Sequence, residues 1–124
     1  MNKRIQYALL SLLDISKQPK NEPVRLLDIS NRQSIPLNYL EQIFNILKKH
    51  NLVKSVRGPG GGYMLGKAPS ELYVVQILEC LEEPAEVLET SDTKEQDSLA
   101  KYRNKLDNVY KKALKTSLKT LSRY

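Results

Sequence analysis

A mainly α-helical chain with one small β-hairpin is what this sequence predicts, and three observations carry the prediction. Apolar residues recur at three- and four-residue steps through most of its length. Two short runs of β-branched, aromatic and apolar residues flank one Gly-Pro-Gly-Gly turn. At 124 residues and 40% hydrophobic composition, the chain has enough material for one core and no room for a second catalytic module.

The first helix is expected in "KRIQYALLSLLDISK", where Ile5, Ala8, Leu9, Leu12, Leu13 and Ser16 form the apolar stripe. It stops before "QPKNEP", a loop marked by two prolines and an asparagine. "VRLLDISNRQ" reads as a short second helix with Leu26, Leu27 and Ile29 turned inward. "SIPLNYLEQIFNILKKHN" reads as a third, with Ser34 at the N-cap, Pro36 in the first turn and Lys48, Lys49 and His50 at the end favoured by the helix dipole. Leu40, Ile43, Phe44 and Leu47 make its buried face, which leaves Asn38, Tyr39, Glu41, Gln42 and Asn45 on or near the other side.

"LVKSV" and "GYMLG" then form the hairpin, with the glycine-rich turn between them. Two short helices joined by a tight turn and followed directly by a hairpin make a winged helix-turn-helix. A further helix is expected in "PSELYVVQILECLEE", then an acidic connector, "PAEVLETSDTKEQDS". "LAKYRNKLDNVYKKALKTSLKTL" closes the chain as a helix of about 35 Å. Leu99, Tyr102, Leu106, Val109 and Ala113 line one side of it, with Tyr110, Leu114, Leu118 and Leu121 along its flank. A helix that long, apolar on one side and basic on the other, calls for a partner, and the same helix of a second subunit is the simplest one. The expected division is therefore a winged helix-turn-helix over 1–67, a helix and acidic connector over 68–97, and a dimerisation helix over 98–124.

Charge is unevenly placed. Residues 1–70 carry eleven Lys/Arg against four Asp/Glu, residues 71–100 one against nine, and residues 101–124 eight against one, for a net charge of +6. A basic first half suits a polyanionic partner. One cysteine excludes an internal disulfide framework. The N-terminal stretch has lysine and arginine before apolar residues, but Gln6, Tyr7 and Asp14 interrupt it and no small-residue cleavage site follows; a soluble cytoplasmic protein with no membrane partner is expected.

Gly61, Gly66 and Lys67 copy part of a phosphate-binding loop, but Ala68 stands where Ser or Thr must hold magnesium, and Pro69 biases Ala68 away from helical geometry. With no nucleophile–base pair or paired carboxylates nearby, a nucleotide-hydrolysing enzyme is not expected.

The run from Tyr39 to Leu78, above all "YLEQ" with "VKSVRGPGGGY", resembles the Rrf2 family of bacterial transcription regulators, the group of the IscR, NsrR and CymR types. The likeness covers about residues 1–83 and implies a winged helix-turn-helix with a long C-terminal dimerisation helix. It further implies a homodimer on double-stranded DNA, with Asn38, Tyr39, Glu41 and Gln42 facing the major groove and Arg57 entering the minor groove. Chemistry agrees: a carboxylate accepts from cytosine's amine, an amide pairs with adenine, and a guanidinium is drawn to a narrow groove. Gly58, Pro59, Gly60 and Gly61 shape a wing that can lie against the backbone, and Arg25, Arg32, Lys48, Lys49 and Lys54 are candidate phosphate contacts.

Many members of the family hold an iron–sulfur cluster on three cysteines in the connector. Residues 82–101 of this chain contain neither Cys nor His, so no cofactor is expected, and the connector is similar to the cluster-free, CymR-like branch. Cys80 reads as a half-buried small hydrophobe rather than a sensor thiol, and His50 as a cap or phosphate contact. The leading expectation is a repressor that answers to a small molecule or a protein. The alternative is a regulatory subunit acting through complex formation with a metabolic enzyme such as a cysteine synthase.

Overall fold

The computed structural model describes residues 3–81 and 115–123. The expected dimerisation stripe Leu99, Tyr102, Leu106, Val109 and Ala113, and the acidic connector, lie outside the described residues. The elements are α1 (Lys3–Ser16), α2 (Leu26–Gln33), α3 (Leu37–Lys49), β1 (Val53–Val56), β2 (Gly62–Leu65), α4 (Val74–Leu81) and a short α5 (Leu118–Leu121).

The three helices ahead of the hairpin bury the faces that their spacing defines. Ile5, Ala8, Leu12 and Ile15 of α1 meet Ile29 of α2 and Leu40, Ile43, Phe44 and Leu47 of α3 in one core. Leu26 is half-buried against that core, but Leu27, expected inward, is 51% exposed, because only one face of so short a helix can reach α1 and α3. Leu72, Ile77, Leu78 and Leu81 extend the same core, so packing joins residues on both sides of position 67.

α1 and α2 are also locked by charge. Asp14, 4% exposed, accepts from Arg32 Nε at 3.0 Å, Arg32 Nη2 at 2.7 Å and Gln33 Nε2 at 2.8 Å. Burial works against ionisation of this carboxyl, yet the hydrogen bonds and charge of Arg32 and the amide of Gln33 outweigh it and hold its pKa below the ordinary 3.8. A carboxyl depressed by folding stabilises the native state above its unfolded pKa, and that contribution is lost as pH falls through the folded value. The stability difference between the natural chain and Asp14→Asn should therefore be widest near neutrality and shrink below the ordinary aspartate range. Urea unfolding across that range checks this; a gap independent of pH would refute it.

The turn between α2 and α3 departs from expectation. Ser34 does not cap α3: it sits in the left-handed region at φ 55° as the C-cap of α2, its N–H bonded to the Ser30 carbonyl. Pro36 occupies the N-cap of α3, and its carbonyl accepts from Tyr39 and Leu40 N–H, both at 3.1 Å. A hydroxyl residue at a helix–helix junction suits either end, and here buried Ile35 sets which end it serves by anchoring the turn to the core.

β1 and β2 pair antiparallel, Val53 with Leu65 through Val56 with Gly62. The turn is Gly58-Pro59-Gly60-Gly61, closed by Gly61 N–H to the Gly58 carbonyl at 2.9 Å. Gly60 at φ +76° after a proline gives the type II arrangement, which needs glycine at that position. Val24, expected inside the second helix, instead exchanges two hydrogen bonds with Tyr63, at 2.9 and 2.8 Å, as an isolated antiparallel bridge on the outer side of β2. α2 accordingly starts at Leu26.

α4 starts at Val74, later than its sequence pattern indicates, because residues 72–74 are occupied by the end of the chain. Val74 N–H donates to the Thr116 carbonyl at 2.9 Å, Leu118 N–H to Leu72 at 2.7 Å and Lys119 N–H to Pro69 at 3.0 Å. Tyr73 and Ser117 form an antiparallel bridge. The expected helix does not run through Ser117, whose backbone is extended and whose side chain caps α5; residues 98–114 of that expectation lie outside the described residues. Leu118 then enters the core fully buried.

Candidate nucleic-acid interface

The geometry of α3 follows from its period. Burying Leu40, Ile43, Phe44 and Leu47 turns Asn38, Glu41, Gln42, Asn45, Lys48 and Lys49 outward as one exposed stripe, amide and carboxylate groups first and ammonium groups last. Asn38, Glu41 and Gln42 thus stand where a reading surface needs them. Tyr39 is different: half-buried against the core, its ring meets Tyr7 of α1 edge-on, with centroids 5.2 Å apart and planes at 89°.

Arg57, Gly58, Pro59 and Gly60 form an exposed wing tip, and Gly61 is half-buried behind them. A side chain at Gly61 would strike the carbonyl oxygens of Val56 and Gly58, so the tight tip depends on its absence. The wing is tied to the rest at two places. Tyr63 packs its ring on Phe44 of α3 at 5.0 Å, and Gly62 lies directly against the backbone of Val24 and Arg25. That second contact brings Arg25, the exposed N-cap residue of α2, beside the wing, a neighbourhood that a helix starting at Val24 would not have produced.

Of the expected phosphate contacts, Arg25, Lys48, Lys49 and Lys54 are exposed and form no ion pair among the described residues. Arg32 is the exception: its Nε and Nη2 are committed to Asp14, so its first task is holding α2 to α1. Sequence reasoning missed three further positions that shape this surface: Tyr7, Val24 and Tyr63. Tyr63 carries a signal in retrospect, an aromatic residue directly after the turn; Tyr7 and Val24 carry none, since their partners are remote in sequence.

Among the described residues no helix is long and apolar enough to cross a membrane. A helix-turn-helix with a basic wing defines a class of nucleic-acid-facing regulators, and comparison with known proteins narrows the class. The profile of the Rrf2 family, described as an iron-dependent transcriptional regulator, matches residues 1–124. This chain belongs to the Rrf2 family of transcriptional regulators. It is 50% identical over 78 residues to the HTH-type transcriptional regulator IscR of Photorhabdus laumondii, covering 63% of this chain and 48% of that protein. IscR of Escherichia coli O1:K1 gives 49% identity over the same extent. The match thus spans about half the length of these curated relatives. Among solved structures, CymR, the global cysteine regulator of B. subtilis, superposes with a TM-score of 0.77 at 30% identity, covering 100% of this chain and 96% of that one. T. potens IscR gives 0.77 at 28% identity, covering 99% and 85%.

The family's description names iron, and this chain's donor set does not fit a cysteine-held cluster. The full sequence has one Cys and one His. Cluster irons need several thiolates, or imidazoles in their place. Among the described residues no group of three or more His, Cys, Asp and Glu is placed to hold a metal. Cys80 is half-buried, its thiol 3.3 Å from the Ile77 carbonyl. Burial, with the Glu79 charge adding to it, pushes its pKa up to about 11. At neutral pH that leaves about a hundredfold less thiolate than an ordinary thiol of pKa 9.0. Native Cys80 should therefore react with a thiol reagent far more slowly than the urea-unfolded chain does, and the native rate should keep rising beyond pH 9. Equal rates in the two states would refute the buried, protonated thiol.

Proposed function

We propose that this chain is a homodimeric, sequence-specific DNA-binding regulator, acting as a repressor without a conventional iron–sulfur cluster. The observation that carries the reading is the exposed α3 stripe from Asn38 to Lys49, next in the chain to a wing tipped by Arg57. A carboxylate in such a stripe is favourable only against a base-edge donor, so Glu41 accepts from a cytosine amine while Gln42 and Asn38 pair with base edges nearby. Tyr39 adds a fixed aromatic contact. Arg57 enters a narrowed minor groove, with Gly58, Pro59, Gly60 and Gly61 letting the wing approach the sugar-phosphate backbone. Arg25, Lys48, Lys49 and Lys54 meet phosphates, and Arg32 joins them only through the nitrogen that Asp14 leaves.

The names of the IscR and CymR relatives support the regulatory role. Dimerisation rests on the apolar stripe Leu99, Tyr102, Leu106, Val109 and Ala113, and the effector is a small molecule or a protein. The division into 1–67, 68–97 and 98–124 assigns reading, connection and pairing along the chain, with residues 116–121 at its end docked on this chain's own core rather than on a partner.

The test is binding to duplex DNA from upstream of the protein's own gene, with an unrelated duplex as control. Specific affinity should fall steeply with salt, as counterions released from phosphates are no longer dilute. Arg57→Ala should cost about 1–3 kcal/mol on the specific duplex and flatten preference where the minor groove is narrow. No specific binding by the natural chain at low salt would overturn the reading, and an unaltered Arg57→Ala would remove the wing from it. Sedimentation decides the dimer, and a reporter fused to the bound promoter decides repression.

A further inference from the structure

We propose that Tyr7 is a positioning residue for sequence readout: packed perpendicular to Tyr39 from α1, its ring fixes the orientation in which Tyr39 meets a base. The inference rests on the DNA-reading role given above to α3.

Tyr39 is unlike its neighbours. Asn38, Glu41 and Gln42 are exposed, whereas Tyr39 is half-buried, so packing decides what it presents. The packing partner is Tyr7, and a centroid separation of 5.2 Å with nearly perpendicular planes lies within the favourable range for an edge-to-face pair. Tyr7 is itself anchored. It stands between buried Ile5 and Ala8, and its carbonyl accepts from the hydroxyl of fully buried Ser11 at 2.6 Å. Contacts therefore run from the core through α1 to the ring of Tyr39, without passing through any exposed group.

A tyrosine hydroxyl both donates and accepts, so a freely rotating one discriminates poorly between base edges. It discriminates when its position relative to the groove is held. Removing the Tyr7 ring should then spare the charge-driven part of DNA affinity and blunt preference at the base pair that Tyr39 meets. General loosening of the fold would instead weaken all DNA binding together.

The experiment puts the full chain and its Tyr7→Leu, Tyr7→Phe and Tyr39→Leu variants through selection from a randomised duplex pool. Affinities for the selected duplex and for an unrelated one are then compared at one salt concentration. Tyr7→Leu should lower the ratio of the two affinities roughly two- to tenfold. It should flatten preference at the same base pair as Tyr39→Leu, while Tyr7→Phe, which keeps the ring, retains both. Tyr7→Met stands in should Tyr7→Leu fail to unfold cooperatively. Full preference at that base pair in the ringless variants overturns the inference, as does an equal loss on both duplexes. A natural chain that selects no sequence sinks the DNA reading beneath it, and this is seen before any variant is made.

Discussion

Replacing Phe44 with alanine should destabilise the folded chain by about 3–5 kcal/mol, and it should loosen the wing in the same step. Phe44 is fully buried at the centre of α3, where it faces the core on one side and the ring of Tyr63 on another. Deleting a buried ring forfeits its transfer free energy and leaves a cavity whose walls relax only in part. Here the wall includes Tyr63, the residue through which β2 touches both α3 and the Val24 bridge. Total stability for a domain of this size is of order 5–15 kcal/mol, so the substitution should remove about a fifth of it at the least. Urea unfolding measures the loss. If the fall is under about 1 kcal/mol, Tyr63 has collapsed into the space and the contact is not the anchor described here. Phe44→Leu, which keeps most of the volume, should cost less and leave DNA binding closer to that of the natural chain.

The same contact shows what the sequence makes legible. Phe44 belongs to the stripe Leu40, Ile43, Phe44 and Leu47, a local pattern whose burial is dictated by helix geometry alone. The hairpin is legible for a similar reason: proline followed by glycine at the tip admits few backbone paths. Illegible features all have a remote partner. Val24 carries no mark that distinguishes a β-bridge from the first residue of a helix, because what decides is Tyr63 across the hairpin. Asp14 reads as the polar end of α1 until Arg32 and Gln33 arrive from α2. The candidate site divides along the same line. Exposure of Asn38, Glu41, Gln42 and Arg57 follows from local period and turn chemistry, whereas the half-buried pose of Tyr39 and the commitment of Arg32 to Asp14 required the packed structure.

The end of the chain gives the second large effect. Leu118→Ala should cost about 2–5 kcal/mol, although its sequence neighbours read as the flank of a helix meant for another subunit. The periodicity of Leu114, Leu118 and Leu121 is genuine but underdetermined, since the same spacing serves a long helix or a short one that turns back. Ser117 settles only the side of Leu118: extended at ψ 157°, it pairs with Tyr73, caps α5 and delivers Leu118 into the core with zero exposure. Three backbone hydrogen bonds from this segment to residues 69–74 would be lost together if it detached. Buried donors and acceptors left without partners add to the cost of the exposed leucine. A chain ending before Thr116 should therefore unfold at markedly lower urea than the full chain, even with every residue of the helix-turn-helix and wing present. Leu121→Ala, at a half-buried position, should cost less than Leu118→Ala. If truncation leaves stability unchanged, the segment does not dock on its own winged domain in solution. If Leu118→Ala and Leu121→Ala cost the same small amount, Leu118 is not the anchor. The predicted order ties residues 116–119 to the loop ahead of α4, so this segment and the winged domain share one core and should lose their stability together.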